Sequence, residues 1–370
     1  MRPMVVAAVV VVVLLLAAMP LQTRAVDVHQ LRIMAAKNNI TCMLVFGDSS
    51  VDPGNNNHLA TSTKANFPPY GKDFFNGLPT GRFSNGRLAT DFIADAFWYT
   101  KIVKGFLDPQ TRTSDVVHGV SFASAGSGYD DLTANLSVSF LSIWSLQNVL
   151  PVSKQLEYLR HYKIHLRQMV GEKKTEDIIR SAIFVVSMGT NDFLQNYYAE
   201  PIRSKQFSVQ QYQDYLISCM SRDVKEMHSL GARRLVMVGV PPLGCLPLIK
   251  TLRDETRCDA ALNRVAFSFG IKLKERLAIL KESLGLRTTY VDIYSSIQRS
   301  ILNPKRYGFT ETSKGCCGSG MFEYGGTCRG LNTCADPTKY VFWDAVHPTE
   351  KMYKIIADEA LKSIGASLFN

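Results

Sequence analysis

Val45-Phe46-Gly47-Asp48-Ser49 closes an apolar run that starts at Cys42, and its reading decides the fold of the whole chain. Consecutive apolar residues followed by glycine make a buried strand with a tight exit, and this exit presents a serine. Near the other end stands Trp343-Asp344-Ala345-Val346-His347-Pro348. A serine hydroxyl is a poor nucleophile at neutral pH, so it needs an imidazole to take its proton and a carboxylate to orient that imidazole. Asp344 and His347 bring both groups within one short segment, which makes Ser49, Asp344 and His347 the candidate catalytic residues.

Outward from this strand, short apolar runs alternate with longer stretches of helical periodicity, the pattern of an α/β fold with a parallel sheet covered by helices on both faces. Strands are predicted at 42–46, 116–122, 182–187, 234–238 and 288–293, and helices at 87–97, 152–170, 209–230 and 259–284. Gly231 stands where a helix C-terminus would end. Three long intervals read as loops. The first, 52–85, is rich in Asn, Gly and Pro and is expected to wall a pocket; 130–150 is a polar, Ser-rich insertion; 303–339 carries half the cysteines and is expected to brace Asp344 and His347. Asn55-Asn56-Asn57 fits either turn chemistry or contact with a ligand.

With 370 residues, 46% hydrophobic and 20% charged, the chain can bury a large core, which excludes a disordered protein. Arg2, the apolar run from Val5 to Met19 and Thr23-Arg24-Ala25 predict a signal peptide at residues 1–25, leaving a single domain at 26–370 that is secreted to the extracellular space or cell wall. The run falls short of the roughly 20 apolar residues of a spanning helix, and no later stretch reaches that length. Cleavage removes Arg2 and Arg24 and no acid, so the net charge falls from +10 to +8. The Lys and Arg are scattered with no stacking motif, which argues against nucleic acid; a basic surface would allow retention on an acidic wall polymer, or be simply well solvated.

All eight cysteines follow the leader, and an even number in an exported chain points to disulfides. Cys245 with Cys258 would close one loop, and Cys316, Cys317, Cys328 and Cys334 would staple the segment before Asp344. Cys42, inside an apolar strand, suits a buried free thiol equally well. No C-x-x-C pair occurs and no zinc or other cofactor is expected. Asn39-Ile40-Thr41 and Asn135-Leu136-Ser137 are N-glycan acceptor sequons.

In an open parallel sheet, ligands bind beyond the carboxyl ends of the strands. Ser49 follows the first predicted strand, Gly126 the second and Asn191 the third. Acyl transfer puts negative charge on a carbonyl oxygen, and the Ser49 N–H, the Gly126 N–H and the Asn191 side-chain amide would form an oxyanion hole for it. Each has a plainer reading: Gly126 as a tight corner, Asn191 as a helix N-cap. His29, His161, His165 and His228 read as surface residues, while His58 and His118 are open.

Together these residues resemble the GDSL esterase/lipase family, the plant-type branch of the SGNH hydrolases, over residues 41–363. Ser49, Gly126, Asn191 and the Asp344–His347 pair match its four blocks, and 52–57, 81–86 and 340–344 match stretches typical of the plant branch. The resemblance implies a three-layer flavodoxin-like fold with about five parallel strands, and a Ser-His-Asp esterase acting on lipid or other acyl esters. Ser50 departs from the pattern, standing where the family name has Leu, with altered packing beneath the nucleophile as the expected effect. Asp192 is the rival carboxylate, disfavoured by the short Asp344 to His347 spacing. Rival functions are a wall-polysaccharide deacetylase, a cutin-type acyltransferase and a catalytically silent secreted binding protein. A nucleotide-binding fold is excluded, since no phosphate-binding glycine fingerprint follows Phe46. The aromatics of 67–70 and 74–75 suit either a greasy pocket wall or core packing.

Overall fold

The computed structural model describes residues 27–97, 99–140, 143–146 and 148–369; the expected signal peptide lies outside them. Four parallel strands, β1 (Met43–Gly47), β2 (Ile183–Ser187), β3 (Arg234–Val238) and β4 (Arg287–Val291), form the central sheet in that spatial order. Their registers pair Val45 with Val185, Val185 with Val236 and Val236 with Thr289. β1 and β2 are buried at every position, which is why they read as continuous apolar runs rather than alternating ones. β4, at the edge, alternates.

Helices cover both faces. α1 (Val28–Lys37) precedes the sheet, and α2 (Ala89–Ala96), α3 (Val152–Val170), α4 (Glu172–Ser181), α5 (Val209–Ser229), α6 (Ala260–Leu284), α7 (Ile293–Leu302) and α8 (Glu350–Ser367) follow in chain order. The sheet face carrying Val185, Val236 and Val291 looks towards α2, α7 and α8. On the opposite face, Met237 touches Tyr129, which packs on Phe269 of α6, and the Tyr290 ring lies under Lys274 of the same helix.

The fifth predicted strand, 116–122, is not a strand of this sheet. Residues 113–116 form a short helix, and the extended run after it lies beside β1 with an interrupted ladder. Val45 N–H donates to the Val120 carbonyl at 3.1 Å, and Phe122 N–H donates to Val45 at 2.7 Å. Two features break the pattern. Gly119 has φ 101°, and a Cβ there would meet the Met43 carbonyl oxygen at 1.9 Å; the Gly47 N–H is taken by the Gln155 Oε1 at 3.0 Å. Two predicted loops also carry structure: Ser137–Phe140 pairs antiparallel with Ile143–Leu146, and Glu311–Gly315 pairs in parallel with Tyr340–Phe342.

A second, smaller core lies beyond the carboxyl ends of the strands. Phe67, Tyr70, Phe83, Ala125 and Trp343 pack with Cys316, Cys317 and Cys328. The 67–70 aromatics therefore pack the interior rather than wall a cleft. Cys316–Cys334 and Cys317–Cys328 cross-link this region, and Cys245–Cys258 closes the loop before α6. Cys42 and Cys219 are buried free thiols, the first pushed up to about 12 and the second to about 11, by burial above all. Among the described residues no helix is long and apolar enough to cross a membrane.

Candidate active site

β1 ends at Gly47 and the chain turns at once, leaving Ser49 half-buried at the top of the sheet. The segment before α8 turns back over it. His347 Nε2 lies 2.9 Å from Ser49 Oγ, and His347 Nδ1 lies 2.8 and 2.9 Å from the two oxygens of Asp344. Asp344 is fully buried, and its Oδ1 also accepts the Val346 and His347 backbone N–H groups at 2.8 and 2.7 Å. Of the seven histidines only His347 is buried; His58 and His118 are exposed, and His118 Nδ1 meets the Thr41 carbonyl away from the site.

The remaining predicted site residues lie on loops tied to this turn through Gln155 and Ser127. Gly126 has φ 92°, a left-handed conformation that glycine takes without strain. Among the described residues neither the Ser49 N–H nor the Gly126 N–H donates a hydrogen bond, so both donors are free. Asn191 stands at the N-cap position of a π-helical turn, Asp192–Ala199, yet its side chain does not cap it. Instead Asn191 Nδ2 donates to the Ser127 carbonyl at 2.9 Å and its Oδ1 accepts from Gln195 at 3.2 Å. An amide has two N–H donors, so one remains for a ligand oxygen.

Asp192 belongs elsewhere. Its carboxylate accepts the backbone N–H groups of Tyr129 and Asp130 and the Thr133 hydroxyl, and burial above all pushes it up to about 7. It clamps the loop after Gly128 and makes no bond to His347.

Ser50 makes a polar link where the family name has Leu. Its Oγ donates to Asp48 Oδ1 at 2.7 Å and lies 2.8 Å from the Ser187 Oγ, tying the nucleophile turn to the end of β2. Asp48 is buried, which raises its carboxyl, while the Ser50 bonds partly offset that rise.

Two supports escaped sequence reading, and a third lies in the 52–57 run that it singled out without this role. Tyr70 Oη donates to Asp344 Oδ2 at 2.7 Å and accepts the Gly325 N–H at 2.6 Å, linking the triad carboxylate to the disulfide-bonded segment. Burial first, then the Asp344 charge, hold the Tyr70 hydroxyl well above its usual range, so it stays a donor. Gln155, on α3, donates to the Gly47 carbonyl, the Ser127 hydroxyl and the Leu150 carbonyl, and so braces the nucleophile turn against the Gly126 loop. Asn55 donates to the carbonyls of Ser121 and Ala123, Asn56 to that of Ala125, and Asp52 accepts the Ala125 N–H. The run is a turn, the 3-10 segment Asn55–His58, and two of its side chains also hold up the Gly126 loop. The sequon residues Asn39 and Asn135 are both exposed.

An apolar cleft opens beside Ser49, lined at its mouth by Asn191, Val346 and His347. Residues 43–360 match the family described as GDSL-like Lipase/Acylhydrolase. GDSL esterase/lipase At5g45950 of Arabidopsis thaliana is 54% identical over 340 residues, covering 92% of each chain. At 42% identity over 329 residues, GDSL esterase/lipase At2g04570 of the same plant covers 88% of this chain and 91% of its own. Among solved structures, LAE5, an alpha/beta hydrolase enzyme from the metagenome of Lake Arreo, Spain, aligns with a TM-score of 0.41 at 11% identity, over 88% of this chain and 95% of its own. With the family model matched over residues 43–360 and relatives matched along nearly the full length, the chain belongs to the GDSL-like lipase/acylhydrolase family, a family of carboxylic ester hydrolases.

Proposed function

We propose that this chain is a secreted serine esterase that cleaves carboxylic esters of lipid or other acyl substrates through an acyl-enzyme. The observation that carries the reading is the continuous relay from Ser49 Oγ to His347 Nε2 at 2.9 Å and from His347 Nδ1 to Asp344 at 2.8 Å. His347 takes the Ser49 proton as Oγ attacks the ester carbonyl, and Asp344 holds the imidazole in the tautomer that can accept it. The oxyanion forms against the Ser49 N–H, the Gly126 N–H and the free Asn191 amide hydrogen, each donor of this kind contributing about 3–4 kcal/mol. His347 returns the proton to the leaving alcohol, then activates the water that releases the acid. Export rests on the apolar leader, the three disulfides and the exposed sequons at Asn39 and Asn135. A charge of +8 after leader removal suits retention on an acidic wall polymer.

The test is Ser49→Ala. Ester hydrolysis should fall by several orders of magnitude and fluorophosphonate labelling should disappear, with the melting temperature held. Persistent labelling on another serine would overturn the assignment.

A further inference from the structure

Gln155, in the first turn of α3, is fully buried, and an amide is tolerated there only if its hydrogen bonds are met. One residue meets two of them. Gln155 Oε1 accepts the Gly47 N–H at 3.0 Å and Nε2 donates to the Gly47 carbonyl at 3.0 Å, so the side chain takes both backbone groups of the last residue of β1, as a paired strand would. Gly47 lies two residues before Ser49. It is already pressed against β2, since a Cβ in its place would meet the Ser187 carbonyl oxygen at 2.1 Å.

The other end of the same amide reaches the remaining oxyanion donors. Gln155 Nε2 also donates to Ser127 Oγ at 3.1 Å, and the Ser127 carbonyl accepts from Asn191 Nδ2 at 2.9 Å. Gly126 sits inside the turn that Ser127 closes, with the Ser127 N–H donating to the Ser124 carbonyl at 3.1 Å. The Ser124 N–H in turn donates to the Gly47 carbonyl at 3.0 Å, beside the bond from Gln155. The Ser49 N–H, the Gly126 N–H and the Asn191 amide come from three separate stretches of chain. Gln155 is one hydrogen bond from the first two stretches and two from the third. Among the described residues it makes no bond to Ser49, Asp344 or His347.

We infer that Gln155 is a positioning residue for the oxyanion hole: it sets the spacing of the three donors and leaves the proton relay alone. This rests on the serine-esterase reading above, in which those donors receive the oxyanion. Gln155 touches neither substrate nor reacting atoms. Its effect falls on kcat rather than KM, because the donors gain most when the carbonyl oxygen becomes an anion. A misplacement of about 1 Å at a reacting centre costs roughly 100-fold.

Gln155→Met keeps the length of the side chain and removes its bonds to Gly47, Ser127 and Leu150. Purified wild type and variant are assayed on p-nitrophenyl acetate, with kcat normalised to serine titrated to completion by fluorophosphonate. Inhibition by a trifluoromethyl ketone is measured alongside, because its adduct with a serine carries an oxyanion. We expect kcat to fall on the order of 100-fold with KM held, and the Ki of the ketone to rise by the factor that kcat/KM loses. The pH profile of kcat/KM should keep its wild-type midpoint. A glutamine that only braces the fold would lower the melting temperature and leave kcat per titrated serine and Ki unchanged, which would overturn the inference. A displaced pH midpoint would also overturn it, by placing the effect in the relay. If Gln155→Met does not fold, Ser127→Ala carries the test, since it cuts the link to the Gly126 turn and keeps both Gly47 bonds. There kcat and ketone affinity should fall together by about threefold to tenfold, the loss of one neutral hydrogen bond, and unchanged values would overturn the inference. Wild type that labels at Ser49 and cleaves the acetate while both variants match it leaves the esterase reading standing without this role for Gln155. Wild type that does neither removes both.

Discussion

Tyr70→Phe removes one oxygen atom and tests whether the Asp344 carboxylate needs a partner drawn from outside its own segment. In the native site that oxygen has two bonds: it donates to Asp344 Oδ2 at 2.7 Å and accepts the Gly325 N–H at 2.6 Å. A hydrogen bond to a charged group contributes about 1.5–3 kcal/mol. If the whole of it is expressed as Asp344 steadies the imidazolium in the transition state, kcat falls roughly 10- to 150-fold, at 1.36 kcal/mol per factor of ten. Three donors to Asp344 remain, from the Val346 N–H, the His347 N–H and His347 Nδ1, so the carboxylate stays in place and the lower part of that range is expected. The Gly325 N–H is left without its acceptor inside the protein, at a cost of about 1–3 kcal/mol, so the melting temperature drops too. Tyr70 does not line the cleft, and KM should therefore hold. The assay is steady-state kinetics on a short-chain p-nitrophenyl ester, normalised to serine titrated by fluorophosphonate. A kcat within twofold of wild type, in protein whose melting temperature has dropped, would show that Tyr70 braces the fold and leaves Asp344 indifferent.

Asp344→Asn should fix the wrong imidazole tautomer and reduce kcat by up to roughly 10⁴-fold, while Asp192→Asn should chiefly lower the melting temperature, because its contacts are Tyr129, Asp130 and Thr133; kcat per titrated serine separates them, and the opposite order in folded protein would reassign the carboxylate. Asp52 is raised by burial from 3.8 to about 6, so its protonated form favours the fold: its contribution to stability is full below about pH 4 and is lost as pH rises through 6. Calorimetry of wild type and Asp52→Asn between pH 4 and 7 should therefore show the variant losing less stability as pH rises, and parallel curves would contradict the raised carboxyl.

The sequence made the sheet legible where burial is symmetric. β1, β2 and β3 are apolar on both faces, and Val152–Val170 and Val209–Ser229 carry full helical periodicity, so their ends were close to predicted. The failed strand is instructive. Residues 116–122 have the composition of a strand, but strand pairing depends on where the neighbour's N–H groups go, and the Gly47 N–H goes to a glutamine on α3. Nor could apolar patterning reveal the short strand Glu311–Gly315, which is partly exposed and polar and is shaped by the cross-links around it.

The same division runs through the site. Each residue that would touch the reacting atoms announces itself locally, because the chemistry demands a residue type at a strand end or at a fixed step from another: Ser49 after Gly47, Asn191 after β2, Asp344 three residues before His347. The residues that hold these in place obey no such rule. Tyr70 reaches Asp344 across 274 positions of sequence, Gln155 reaches the Gly47 carbonyl across 108, and Asn56 reaches Ala125 across 69. Their type is constrained only by the need for a donor of the right length in a buried place, which many sequences meet. Ser50 marks the boundary between the two classes. Its position is fixed by the nucleophile motif, but what it does is fixed by Ser187 on the neighbouring strand, so a change from Leu read as a matter of packing becomes a hydrogen bond between the nucleophile turn and the end of β2. Substitutions next to a motif therefore need the fold before their chemistry can be assigned, whereas those within it do not.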